Sequence, residues 1–182
     1  QEVPQAQYNL ALMYDKGQGV VQDYKESIKW YRLAAKQGDA PAQSNLGLMY
    51  AQGQGVPQDY KEAVKWFRLA AEQGHAEAQH NLGWLYAKGQ GISQDYKEAV
   101  KWYRKASEKG IAEAQYNLGW LYSNGKGVPQ DYVMALMYWN IAAASGDKDS
   151  IKNRDKAIDE FSSEQIAEAQ KLAREWTVKH QE

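Results

Sequence analysis

Apolar residues between positions 42 and 74 are spaced as in two short helices joined by a turn. Ala42, Leu46 and Tyr50 stand four residues apart and therefore share one helical face. A second apolar face, with the period of about 3.6 residues of a helix, follows at Tyr60, Ala63, Val64, Phe67, Ala70 and Ala71. The Gly-x-Gly segment 53–55 ends the first helix and Gly74 ends the second, because glycine readily adopts the left-handed conformation at a helix C-terminus. The pattern predicts an antiparallel helix pair.

This helix pair recurs every 36 residues. The recurring positions include an asparagine, two linker glycines and an aspartate before a tyrosine, and the asparagine series runs Asn9, Asn45, Asn81, Asn117. We expect four repeats, namely 3–38, 39–74, 75–110 and 111–146. Asp59 is expected to cap its helix in a capping box with Glu62. A pair this short cannot bury its own apolar face, so the repeats must stack. We predict an all-α fold, a right-handed α-solenoid of stacked antiparallel helix pairs.

The C-terminal segment 147–182 loses the glycine series but keeps two helical stretches. Ser162 and Gln165 form a capping-box pattern before a helix with a polar outer side. A terminal unit with a polar outer face keeps a solenoid soluble, so we predict a capping helix pair here. The N-terminus shows no matching cap, because Gln1 stands almost inside the first repeat. Further repeats, a leader or an open end all fit this observation.

Composition and charge exclude several classes of protein. The 22 Lys and Arg nearly balance the 23 Asp and Glu, so we expect no nucleic-acid partner. The chain has no cysteine, which removes disulfides, thiolate zinc sites and a catalytic thiol. The longest mainly apolar run, 135–144, is half the roughly 20 residues that a membrane-spanning helix needs. We therefore predict no transmembrane segment.

No residue pattern in the chain indicates catalysis. The Gly-x-Gly linkers do not extend to G-x-G-x-x-G, and no serine stands in G-x-S-x-G. His75 and His80 are five residues apart, which is not the spacing of two metal ligands on one helical face. Glu62 recurs in other repeats as Glu26 and Glu98, which is typical of a structural position. We predict no catalytic residue, no cofactor and no metal.

The repeat resembles a known family. The segments 78–86, 89–91 and 95–104, which read AQHNLGWLY, GQG and DYKEAVKWYR, look like SEL-one-like repeats, the 36-residue relative of the tetratricopeptide repeat. The resemblance covers about 1–146. It implies a bacterial scaffold in signalling, in the envelope or in host interaction. An exported, periplasmic location is favoured over a cytoplasmic one, and the compartment stays open.

The resemblance to the tetratricopeptide repeat also implies that the first helix of each pair lines a concave groove. The groove positions differ between repeats, and the candidate binding residues are Tyr8, Leu12, Leu48, Glu77, His80, Trp84, Lys88, Glu113, Tyr116, Trp120 and Asn124. Trp84 and Trp120 are candidate anchors, since tryptophan offers a large rigid surface with a polar N–H. The alternative is that both only pack against a neighbouring repeat. Trp30, Trp66 and Trp102 recur with the period and are expected to be structural, as is the asparagine series, whose amides would bridge backbone groups of adjacent repeats.

We predict a non-enzymatic scaffold that binds a protein or peptide partner in this groove. The first alternative is a cell-wall-related small-ligand site or a weak hydrolase, implied by a β-lactam-active branch of the family. That branch is rich in disulfides, whereas this chain has no cysteine. The only residues that could form an acid/base cluster for such a site here are Glu77, His80 and Glu113. The second alternative is self-assembly through the uncapped N-terminal end. A monomer is expected, with end-to-end association as the other possibility.

Overall fold

The computed structural model describes residues 3–180, which form ten α-helices and, over that range, no strand. The chain divides into two compact units, one up to Gln94 and one from Asp95 onward. The first unit contains α1 (Pro4–Lys16), α2 (Tyr24–Lys36), α3 (Ala40–Gln52), α4 (Tyr60–Glu72) and α5 (Ala76–Lys88). The second contains α6 (Tyr96–Ser107), α7 (Ala112–Asn124), α8 (Tyr132–Ala144), α9 (Lys148–Glu160) and α10 (Ser163–His180). The all-α prediction is confirmed.

Helices that follow each other in the chain pack as pairs. Within the first unit α1 packs on α2 and α3 on α4, and α2 and α4 each also contact the next first helix. Buried apolar side chains fill the space between neighbouring helices, with Tyr31 of α2 and Leu46 of α3 fully buried. Gly47 leaves room for the Phe67 ring, because a Cβ at this glycine would lie 2.9 Å from Phe67 Cδ1. Small residues on the first helix thus admit an aromatic ring from the second.

Aspartates cap the second helix of each pair, as predicted. The Asp59 carboxylate accepts hydrogen bonds from the backbone N–H groups of Lys61 and Glu62 at 2.9 and 3.1 Å. The expected capping box is wrong in its second half. Glu62 pairs instead with Lys65 at 3.2 Å, and the Asp59 N–H donates to the Tyr50 carbonyl at 2.9 Å. A backbone partner already satisfies the N–H group that a capping box would have served.

The second linker glycine touches the backbone of the preceding repeat. Gly55 has a φ of +71°, and a Cβ there would lie 2.7 Å from the carbonyl carbon and oxygen of Tyr24. Gly91 and Gly127 meet Tyr60 and Tyr96 in the same way. Only glycine meets both requirements, a left-handed backbone and a close backbone approach.

Glutamines, rather than asparagines, bridge one repeat to the backbone of the preceding repeat. Buried Gln43 donates through Nε2 to the Ala35 carbonyl at 3.0 Å and accepts from Gln73 Nε2 at 2.7 Å. Asn45, for which the backbone role was predicted, instead donates to the Tyr31 hydroxyl at 3.1 Å. Both contacts join neighbouring repeats, but the expected backbone bridge belongs to the glutamine.

The C-terminal helices depart from the repeat in different ways. Asp147 caps α9 by accepting from the Ser150 N–H at 2.7 Å, so α9 begins as α3 does at Asp39. The predicted capping box before α10 is confirmed: Ser162 N–H donates to Gln165 Oε1 at 3.0 Å, and Gln165 N–H donates to Ser162 Oγ at 3.3 Å. α10 then packs on α8. None of the described helices has the length and apolar character needed to span a membrane.

Candidate functional site

A pocket of about 300 Å³ opens between α3, α4 and α5 in the first unit. Its lining includes Leu48 from α3, Tyr60 and Phe67 from α4, and His80 and Trp84 from α5. Leu48 and Trp84 occupy the same repeat position, 36 residues apart, on neighbouring first helices. The walls are therefore mainly apolar, with an imidazole among them.

The rim of this first pocket is polar. Gln52 and Asn81 join the lining and bring side-chain amides that both donate and accept hydrogen bonds. Leu48 remains 39% exposed. The arrangement suits an apolar group whose neighbours carry hydrogen-bonding atoms.

A second pocket in the other unit occupies the same repeat positions two repeats later. It encloses about 280 Å³, and its lining includes Trp120, Tyr132 and Trp139. These residues lie 72 positions after Leu48, Tyr60 and Phe67, respectively. The same repeat positions therefore line both pockets, and the second lining is more aromatic than the first.

The second pocket differs from the first in its charged rim. Lys156 and Glu160 of α9 line it, with Lys156 Nζ 3.8 Å from a Glu160 carboxylate oxygen. Trp120 is 38% exposed, and Lys126 Nζ lies 5.3 Å from its ring centroid. The Trp120 carbonyl also accepts from Asn124 Nδ2 at 2.8 Å. The indole therefore lies beside a cation while more than a third of the residue's surface is exposed to solvent.

The structure places the other candidate binding residues outside these two linings. Tyr8 packs near Tyr31, with 5.8 Å between ring centroids, and Leu12 is half-buried on α1. Tyr116 is half-buried on α7, and Lys88 and Asn124 are exposed near helix ends. Of the eleven candidates, the first pocket brings together Leu48, His80 and Trp84, and the second contains Trp120. A single groove through all four repeats stays a prediction.

The acidic residues considered for a hydrolase lie at helix N-termini. Glu77 Oε2 is 3.3 Å from Nδ1 of His75, the residue that caps α5. Glu113 lines a shallow depression with Asp147 and Asp149. Neither glutamate lines the two pockets, and residues 3–180 hold no group of three or more histidine or acidic side chains arranged to bind a metal.

Sequence reasoning missed most of each pocket. Tyr60 and Tyr132 were read as scaffold because they recur with the period, yet both line a pocket. The α9 residues were missed because the tail lacks the glycine series. One signal was available: Asn153 continues the asparagine series by a further 36 residues.

These helix pairs, with their glycine linkers and recurring pockets, define a repeat scaffold of the α-solenoid class. The Sel1 repeat model matches residues 4–39, 40–75, 76–111 and 112–147, each beginning one residue later than expected. The chain belongs to the Sel1 repeat family, named above as SEL-one-like repeats. Sel1 repeat proteins are generally scaffolds for protein interactions, and most are not enzymes.

Solved structures show the same relationship. A Sel1 repeat protein from Oxalobacter formigenes is 36% identical, with a TM-score of 0.84 over 95% of this chain and 71% of its own. The protective antigen c5321 of uropathogenic Escherichia coli, which displays an SLR fold, is 34% identical with a TM-score of 0.84. That match covers 97% of this chain but 38% of c5321. Cysteine-rich protein B of Helicobacter pylori shares the fold, at 21% identity and a TM-score of 0.58 over 72% of this chain and 94% of its own. No curated protein matches the chain.

Proposed function

We propose that the chain is a non-catalytic scaffold and that each of the two pockets receives an apolar side chain of a protein partner. The observation that carries this proposal is the recurrence of one pocket at the same repeat positions, 72 residues apart. Invariant residues such as Tyr60 and Tyr132 recur in both linings, while the residue at the position of Leu48 changes to Trp120. That combination is expected of a binding position that each repeat can vary.

The dimensions and lining of the pockets favour a protein side chain over a larger ligand. Pockets for small molecules generally measure about 300–1,000 Å³. The first pocket, of about 300 Å³, lies at the lower end of that range. Apolar walls would hold the side chain, while Gln52 and Asn81 at the rim can hydrogen-bond with the partner's backbone.

The second pocket has the surface expected of an anchor site. Trp120 exposes a large apolar area next to Tyr132, which is itself exposed. Tryptophan and tyrosine are enriched among the residues that dominate protein interfaces. Lys156 and Glu160 would add charge selectivity at the rim, so the two pockets should differ in the sequence that they prefer.

The proposal is tested by selecting ligands from a random peptide library on the full chain. Affinities of the selected peptides are then measured by fluorescence anisotropy with Trp84→Ala, Trp120→Ala and the control Leu69→Ala. Leu69 is a matched control because it is 41% exposed on α4 and lines neither pocket. Circular dichroism verifies that all three variants fold.

We expect each peptide to lose at least about tenfold in affinity with one tryptophan variant, which corresponds to about 1.4 kcal/mol. The Leu69→Ala variant should bind as the wild type does. Selected peptides that bind both tryptophan variants with unchanged affinity would refute the proposal, and the tryptophans would then be packing residues.

A further inference from the structure

The outer face of α1 is exposed where the same face of the later first helices is buried. In α3 this face consists of Ala42, Leu46 and Met49, of which Met49 is 2% exposed and the others are fully buried. The equivalent residues of α1, each 36 positions earlier, are Ala6, Leu10 and Met13. Ala6 is exposed, Leu10 is half-buried and Met13 is 37% exposed. α1 thus carries the contact surface of an interior repeat without a neighbour among the described residues.

A hydrogen-bonding position on the same helix also lacks its repeat partner. Between repeats, Arg32 Nη2 donates to the Tyr50 hydroxyl at 2.7 Å and Arg68 Nη2 donates to the Tyr86 hydroxyl at 2.9 Å. Tyr14 stands at the equivalent position of the first repeat. Over residues 3–180 no arginine is bonded to its hydroxyl.

The linker of the first repeat also lacks the backbone contact that the linker of the second repeat makes. Gly55 meets the Tyr24 backbone at 2.7 Å, whereas a Cβ at Gly19 would meet only Met13 Cε, at 3.5 Å. Gly19 nevertheless has nearly the same φ as Gly55, +73° compared with +71°. The first repeat therefore keeps the backbone geometry for a close approach, and the approaching segment is not among the described residues.

We propose that the surface formed by Ala6, Leu10, Met13, Tyr14 and Gly19 docks a further helix pair of the Sel1 type, one that carries an arginine at the position of Arg32. The proposal follows from continuity with the interface between α2 and α3, which shows how each of these features is satisfied. It is independent of the proposed pockets, whose lining residues lie on other helices.

The Sel1 repeats of a second copy of this chain offer no free arginine at that position. Its α2, α4 and α6 already donate their arginines to Tyr50, Tyr86 and Tyr122. At the last helix pair of the repeat series, α8 carries Asn140 where the others have arginine. The partner must therefore be a distinct helix pair with a free arginine.

The probe is the full chain with one additional copy of residues 40–75 joined ahead of Pro4, which presents Arg68 of the copy to Tyr14. Hydrogen exchange of the α1 amides is compared in the extended and unmodified chains. Urea midpoints are measured for Tyr14→Phe and Gly19→Ala in both chains, with Gly55→Ala as the matched control at an interface that already exists. Tyr14→Phe removes one oxygen only, so its result remains interpretable even if Gly19→Ala unfolds the extended chain.

We expect α1 amide exchange to slow at least about tenfold in the extended chain. Tyr14→Phe should lower the urea midpoint of the extended chain and leave that of the unmodified chain unchanged. Gly19→Ala should lower the midpoint of the extended chain more than that of the unmodified chain. Gly55→Ala should lower the midpoints of both chains equally. Equal effects of Tyr14→Phe and Gly19→Ala in the two chains would overturn the proposal. So would a dimer of the unmodified chain in sedimentation velocity that Met13→Arg dissociates, because the occupant would then be a second copy.

Discussion

Alanine at Gly55 should destabilise the protein far more than alanine at Gly19, although the two glycines have the same place in the repeat. Both have a positive φ, +71° and +73°, so each alanine incurs the cost of the left-handed conformation. That cost is about 1 kcal/mol. It cancels when the two variants are compared.

The difference between the variants comes from the contact with the preceding repeat. At Gly55 the new methyl group would lie 2.7 Å from the Tyr24 carbonyl, and backbone cannot rotate away as a side chain can. Overpacking of this kind costs about 1–3 kcal/mol. At Gly19 the nearest atom is the flexible end of Met13, at 3.5 Å. We therefore expect a loss of about 2–4 kcal/mol for Gly55→Ala and about 1 kcal/mol for Gly19→Ala.

The free energy of unfolding is measured by urea denaturation followed by tryptophan fluorescence and by circular dichroism. For an m-value of about 2 kcal/mol/M, a difference of about 2 kcal/mol separates the midpoints by about 1 M. Coincident transitions from the two probes would justify the two-state treatment. Equal losses for the two variants would refute the reasoning, because the conformational cost of φ alone would then explain both.

Three further predictions concern a cap, a bridge and buried phenols. His75→Asp should stabilise the protein by about 0.5–1 kcal/mol in urea denaturation. The reason is that His75 accepts from the Ala78 N–H at 3.3 Å, whereas Asp39 at the equivalent cap accepts from the Ala42 N–H at 2.7 Å. An unchanged midpoint would contradict this prediction. Gln43→Leu should cost about 1–3 kcal/mol in urea denaturation, because it removes the hydrogen bonds that Gln43 donates to the Ala35 carbonyl and accepts from Gln73. A neutral result would contradict this. Burial raises the pKa of Tyr138 to about 12 and also raises that of Tyr31 and Tyr103. Because the folded state favours the neutral phenol, stability should be retained below the unfolded value of about 10 and fall as pH rises toward 12, as urea midpoints at about pH 8 and pH 11 would show; equal midpoints would contradict this.

Local signals in the sequence were sufficient for the fold. Gly53 ends α3 in the left-handed conformation and Asp59 caps α4, and both act within a few residues of where they stand. Such signals can be read without knowing what packs where. The 36-residue period then gave the number of copies.

The polar contacts between repeats could not be assigned in the same way. Gln43 and Asn45 both carry amides and both recur, but residues two apart on a helix point about 200° apart. Which of them faces the backbone of the preceding repeat depends on the packing angle of two helices. The structure assigns that contact to Gln43.

The candidate site was predictable only at the positions that vary between repeats. Trp84 and Trp120 were identified because they differ between repeats, whereas Tyr60 was set aside because it does not. A pocket needs both kinds of residue, since the invariant Tyr60 and Tyr132 line the two pockets together with the variable Trp84 and Trp120. Comparing the repeats therefore identifies the variable residues that would set the specificity of such a site and misses the invariant residues that complete its lining.

The end of the repeat series is encoded on α8 as much as in the tail. The position held by Lys29, Lys65 and Lys101 in the earlier second helices is Met137 on α8, which is 4% exposed. α10 packs on α8, and Ala173 of α10 lines a depression together with Ile141. A lysine at position 137 would place a charge at a buried position. Both α9 and α10 pack on α8, so the apolar run 135–144, too short to span a membrane, is explained by the burial of α8 under these two helices.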